Sequence, residues 1–179
     1  MLINIPELTS WKITLGKLNK ASQIKQIMKM KGITAYCYSF VAVDGKIETI
    51  LKYGQSGDND WRRGSYGERI YRQAFHIPGW STQPSPNSAG NDMLDIIKHF
   101  PGITKDDVYI QVWDMTNHPF SVKGDPRHEL TILENQLISN HIAQHGVQPI
   151  GNIKSEAHIE RKAVVTDDQF DALFEVTNG

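Results

Sequence analysis

Glu134 lies in the middle of "LTILENQLIS", where apolar residues recur at helical spacing. Its one-turn neighbours on such a helix are Leu130, Leu137 and Ile138, so the carboxylate emerges from the apolar face or beside it. Burying a carboxylate there is costly unless a cation or a metal ion meets it; otherwise it stands at the margin of the stripe and reaches water. Cations are present elsewhere in the chain. In "SYGERIYRQAFH", Arg69, Arg72 and His76 follow at three- and four-residue intervals and share one helix face. Lys52, in "LKYGQS", stands directly before Tyr53 and Gly54 on a strand where an aromatic or aliphatic residue is the ordinary occupant. Arg62 and Arg63 sit among glycines and polar residues in "GDNDWRRG". A helical carboxylate, planar guanidinium forks and a strand ammonium suit a metal ion and an anionic group.

Other polar residues offer less. His141 and His145 have the spacing of a two-histidine metal site, but no glutamate follows His141 in the hydrolase pattern and no third ligand is evident. His118 and His128 flank a Pro- and Gly-containing loop and read as surface histidines. Asn152, after Pro-Ile-Gly, is either a turn residue or a side chain that orients its neighbours. Cys37 is the only cysteine; within one chain it forms no disulfide and no Cys-based metal cluster, and its apolar strand reads it as a small buried thiol.

The elements that must position these residues follow from pattern. "ITAYCYSFVAV" and "IETILKYGQS" flank Asp44-Gly45, a hairpin signal, and give strands near 33–43 and 47–54. Ser65 and Glu68 have capping-box spacing at the start of the arginine helix. Residues 77–91, rich in Pro, Gly, Ser and Asn, form a surface loop, followed by a helix in "DMLDIIKHF" and a third strand in "DVYIQVWDM". A second irregular stretch leads to the long helix "ELTILENQLISNHIAQH", closed by Gly146. The fold class is α/β (α+β), a small, mostly antiparallel three-stranded sheet flanked by helices.

At 179 residues the chain suits one domain. Three parts are expected: an N-terminal basic arm at 1–32, a core at 33–153 with inserted loops at 77–91 and 116–128, and an extension at 154–179 with a short helix capped by Thr166. No run approaches a membrane span and no basic-then-apolar leader opens the chain, which points to an intracellular, cytoplasmic protein. The net charge of −1 hides an asymmetry: the segment 11–31 holds Lys12, Lys17, Lys20, Lys25, Lys29 and Lys31 and no acidic residue. Within it, "QIKQIMKMK" is an amphipathic helix that Ser22 can cap and Gly32 ends. Its lysines are either a solvated face or a phosphate-contacting arm.

In chain order, a tyrosine on the first strand, a strand ending in Gly-Gln-Ser, an arginine helix, a helical glutamate before "NQLI" and the string "QPIGN" together resemble the GIY-YIG nuclease superfamily. The matching residues are Tyr38 in "AYCYSF", Gly54 in "KYGQS", Arg69 in "YGERIYR", Glu134 in "ILENQLI" and Asn152 in "PIGN". The likeness spans residues 33–153, and "LENQLI" followed by a proline and an asparagine looks like the corresponding part of bacterial excision-repair nucleases. Tyr36 stands where the family's first glycine would be, Lys52 replaces the first tyrosine of the second motif, and Tyr53 replaces its isoleucine. The loop before the helix is longer than usual, so Arg72 with His76 one turn on is an alternative to Arg69. Arg62 and Arg63 are a third option; "GERI" favours Arg69.

The resemblance implies a DNA endonuclease of restriction or phage type, with RNA as another possible substrate. Glu134 would hold Mg²⁺ (or Mn²⁺), Arg69 would brace the scissile phosphate, and Tyr38 would act as general base, its phenol lowered by nearby cations. Lys52, if a bulge or long turn aims it at Tyr38, would lower that phenol or take the proton itself; alternatively its stem packs along the sheet and its head reaches water. Asn152 would orient active-site groups. The lysines, with Arg62 and Arg63, would contact double-stranded DNA, and cutting both strands favours a homodimer. The alternative, consistent with the altered second motif, is a nucleic-acid-binding or interaction domain that keeps the fold without catalysis.

Overall fold

The computed structural model describes residues 2–57, 66–85, 87–88, 90–117 and 127–153. Four strands form one antiparallel sheet: β1 (Ser10–Thr14), β2 (Tyr36–Asp44), β3 (Ile47–Ser56) and β4 (Val108–Asp114). Their order is β1-β4-β2-β3, which leaves β1 and β3 at the two edges. Helices α1 (Gln23–Lys31), α2 (Glu68–Phe75), α3 (Asp92–Ile97) and α4 (Arg127–His145) complete the fold, with a 3-10 turn at Ile150–Asn152.

The strand count therefore exceeds the expected three by one, because "SWKIT" pairs with β4 from Ser10↔Trp113 to Thr14↔Tyr109. This segment was expected in the N-terminal basic arm; its serine, lysine and threonine mask the short apolar alternation of Trp11 and Ile13. Ile13, Leu15, Ile24 and Met28 are buried with the main core. At about 1.5–3 kcal/mol each, these four side chains bury a gross stabilisation comparable with the whole stability of a domain, so the segment is part of the fold. A further tie holds the extreme N-terminus: the Gln136 side-chain amide receives the Ile3 N–H at 2.9 Å and donates to the Ile3 carbonyl at 3.1 Å.

Strand β2 is central and buried on both faces, as its nearly unbroken apolar run requires. Tyr36, Tyr38 and Phe40 point to one face, with successive ring centroids 5.9 and 5.8 Å apart, and pack with Ile24, Ile70 and Met93 from α1, α2 and α3. Ala35 and Cys37 point to the other face, against Leu130, Leu133 and Leu137 of α4. The β2–β3 hairpin closes with Asp44 opposite Ile47, so Gly45 and Lys46 make the turn, and Gly45 takes the positive φ of 60° that it needs. Between Phe40↔Lys52 and Val41↔Ile50 the register shifts: Leu51 is an extra residue, a β-bulge.

Helix α1 spans the expected residues, but the Ser22 side chain makes no capping bond; Gly32, φ 66°, ends the helix. Gly67, φ 65°, precedes α2, and Ser65, its expected cap, lies outside the described residues, as do Thr166 and the 154–179 extension.

Candidate active site

Tyr38 is fully buried at the centre of β2, and the residue facing it on β3 is Gly54. A Cβ at Gly54 would overlap the Tyr38 phenol ring and its oxygen, so the glycine of "KYGQS" is what lets the ring lie across the edge strand. Above the ring runs α2, which presents Arg69 and Gln73 one turn apart. The Tyr38 hydroxyl donates to Gln73 Oε1 at 2.9 Å, and the Arg69 guanidinium is near enough for its charge to act on the Tyr38 oxygen. Glu134 approaches from α4 on the opposite side of the sheet, 5% exposed, its carboxylate near enough for its charge to act on Tyr38, Arg69 and Cys37.

These groups shift one another's proton affinities. Burial drives the Tyr38 phenol well above its ordinary range; Arg69 pulls against that rise, while the charges of Glu134 and Asp92 add to it. The expectation that cations would lower this phenol is thus corrected: one guanidinium does not outweigh complete loss of water around the ring. For Arg69, desolvation disfavours the charge, but Tyr38 and Glu134 outweigh it and hold the guanidinium protonated. Cys37, on the face of β2 opposite Tyr38, is pushed well up by burial and then by Glu134, and its thiol donates to the Leu130 carbonyl at 3.4 Å. It is the buried thiol read from sequence.

Lys52 reaches the same place through the bulge. Opposite Phe40, it lies on the face that carries Tyr38, with its side chain only 14% exposed, and its ammonium meets the Asp92 carboxylate at 2.6 Å. The carboxylate it meets is itself 53% exposed, so the stem packs along the sheet and the head ends in an ion pair at the surface. Asn152 touches backbone: its Oδ1 receives the Tyr53 N–H at 2.7 Å and its Nδ2 donates to the Tyr53 carbonyl at 3.0 Å. It therefore fixes the strand segment between Lys52 and Gly54 instead of meeting Tyr38 or Glu134. Gly151 allows this contact, since a Cβ there would strike the Leu51 carbonyl and the Lys52 side chain.

The two arginines of α2 separate. Arg72 turns to Glu68, with Nε–Oε1 2.7 Å, and Glu68 also meets Lys25 at 3.6 Å, so Arg69 is the one on Tyr38. His76 is buried past the end of α2 with its Nε2 3.0 Å from Ser88 Oγ, which anchors the 77–91 loop. Arg62, Arg63, His118 and most of the 116–128 loop lie outside the described residues, and of His128 only the backbone is described. The basic segment does not form one face. Lys12 on β1 covers the Tyr109 ring at 4.0 Å, Lys31 covers Trp11 at 4.6 Å and Lys25 covers Tyr71 at 4.3 Å, while Lys17, Lys20 and Lys29 are exposed.

Sequence reasoning missed Gln73 and Asp92. Gln73 lies one turn after Arg69, a signal that was present, but a glutamine on a charged helix carries no mark of burial. Nothing in sequence links Asp92 to Lys52, since a loop separates them. Among the described residues no three or more His, Cys, Asp and Glu side chains gather as a metal cluster. The carboxylate at the convergence is Glu134, and an ion that keeps most of its waters and takes one or two carboxylates fits that donor set; Mg²⁺ is such an ion.

No protein-family model, curated protein or solved structure matches the chain.

Proposed function

We propose that this chain is a Mg²⁺-dependent endonuclease of the GIY-YIG type that hydrolyses phosphodiester bonds in DNA. The observation that carries the reading is that Arg69 and Glu134, from two helices far apart in sequence, both act by their charge on the buried Tyr38 hydroxyl, which lies across the strand at Gly54.

Phosphodiester hydrolysis needs an oxygen nucleophile, charge neutralisation at the phosphate and a path for a proton. Mg²⁺ held by Glu134 would supply part of that neutralisation. Arg69, kept charged by its neighbours, presents a planar donor fork to the remaining phosphate oxygens. Tyr38 is the proton acceptor towards water: Arg69 stabilises its oxygen when the proton leaves. Gln73 receives the O–H beforehand and, by turning its amide, donates N–H afterwards. Lys52 pairs with Asp92, whose charge acts on the phenol, and, released from it, becomes a second phosphate contact. Asn152 and Gly151 hold β3 in place under these groups.

The test is nicking of supercoiled plasmid with Mg²⁺, beside EDTA and Glu134→Ala controls. Cleavage that needs both the metal and the carboxylate is the expected result. DNA binding without cleavage on any substrate would leave a nucleic-acid-binding domain in place of an enzyme. Cleavage undiminished in Glu134→Ala would remove the metal assignment.

A further inference from the structure

Helix α4 ends in two histidines one turn apart, and the way the chain leaves the helix sets their chemistry. The His141 and His145 ring centroids are 4.5 Å apart, close enough for one nitrogen of each to approach a common ion at about 2.0–2.1 Å. Gly146, φ 77°, turns the chain back, with its N–H on the Ile142 carbonyl at 2.7 Å. That turn brings the Val147 carbonyl to 2.8 Å from His141 Nδ1. A carbonyl only accepts, so Nδ1 carries the proton and the Nε2 lone pair of the neutral ring is left for another partner, the arrangement that metal-bound histidines share. On its other side the His141 ring rests edge-on to Tyr53, centroids 6.4 Å apart, which restrains its orientation. The carbonyls of the last helical turn add the negative end of the helix dipole, which favours a cation.

We propose that His141 and His145 form a two-nitrogen site for a borderline divalent transition-metal ion of the Zn²⁺, Ni²⁺ and Cu²⁺ class, with water in its remaining positions. Its imidazole donors suit these ions and not Mg²⁺, which prefers oxygen. It lies seven residues, or about 10 Å, along α4 from Glu134, so it is a second cation site of different chemistry and does not depend on nuclease activity.

Calorimetric titration of the full chain with ZnCl₂ in excess Mg²⁺ at neutral pH tests it. One ion per chain is expected, weakened about tenfold or more by either His141→Ala or His145→Ala and unaffected by Glu134→Ala. In imidazole ¹⁵N spectra, His141 should show a protonated Nδ1 and a bare Nε2 that shifts when Zn²⁺ is added. Circular dichroism of the variants separates loss of a ligand from loss of the helix. No Zn²⁺ uptake, or equal affinity in the double variant, overturns the proposal.

Discussion

At the β1 edge of the sheet, Lys12 and Lys31 are exposed and lie over the Tyr109 and Trp11 rings. At the β3 edge, the exposed Arg69 acts by its charge on a buried phenol and a buried carboxylate, and Lys52 lies beside them with its side chain 14% exposed. Both edges carry exposed cations and aromatic rings; they differ in that the phenol and the carboxylate at the β3 edge are buried. Two charges 4 Å apart interact by about 1 kcal/mol in bulk water and about 4 kcal/mol near a protein surface of low effective dielectric. An exposed cation over a ring contributes about 0.5–1 kcal/mol and holds a side chain in place. Beside buried groups the same charge types move one another's protons, so the proposed chemistry is placed by proximity to Tyr38 and Glu134 and not by the number of lysines.

The hardest break in that contrast is at Glu134 and Arg69. Replacing either by Ala should lower single-turnover cleavage by about 10²–10³, the scale for removing a preorganised electrostatic partner. Lys52→Ala should lose most turnover with fold and DNA affinity retained. Arg72→Ala and Lys12→Ala should leave cleavage nearly unchanged; an Arg72→Ala defect as large as that of Arg69→Ala would show that the wrong guanidinium has been placed on the phosphate.

Next in size is pH. A phenol raised above its ordinary value of about 10 is almost wholly protonated near neutrality, so the base form, and with it the rate, should climb about tenfold per pH unit into the alkaline range. Tyr38→Phe should abolish that climb. The linked stability has the opposite direction: the folded state holds the Tyr38 proton more tightly, so this contribution is present below pH about 10 and is lost as pH rises through the folded value. Denaturation midpoints measured across the alkaline range should fall less steeply in Tyr38→Phe.

Asn152→Ala should cost about 1–3 kcal/mol in urea denaturation, because it strips two hydrogen bonds from Tyr53. Asn152→Asp, which keeps the acceptor but turns a buried carboxylate oxygen to the Tyr53 carbonyl, should cost at least as much. The smallest effects belong to the lysines: Lys12→Ala or Lys29→Ala should change stability by no more than about 0.5 kcal/mol. For each lysine that touches phosphate, the salt dependence of DNA binding should fall by about one unit of slope.

Much of this arrangement was legible in the chain. The β2–β3 hairpin, α1, β4 and α4 follow from alternation, helical spacing and glycine stops, and the bulge that Lys52 would need to reach Tyr38 is present at Leu51. What sequence hid was long-range. β1 is too short and too polar to announce itself, and it exists because β4 offers an open edge. The phase of α2 chooses between Arg69 and Arg72 through packing that no spacing rule records. Asn152 looked equally like a turn residue because its partner is backbone, which is the same in every sequence. The raised Tyr38 phenol followed from how completely three layers close over it, and burial is the quantity a motif carries least.

The Asn152 amide has a consequence for how molecules of this protein meet. β3 is an outer strand, and its unpaired N–H and C=O groups offer a template to a strand from another chain. At Tyr53 that template is already filled: the carboxamide imitates one peptide unit of a missing neighbour, donor to acceptor and acceptor to donor. A foreign strand docking there would first have to displace it and the Gly151 backbone behind it. The side chain thus works as a stopper against edge-to-edge aggregation, so Asn152→Ala protein should lose solubility during refolding before it loses its fold.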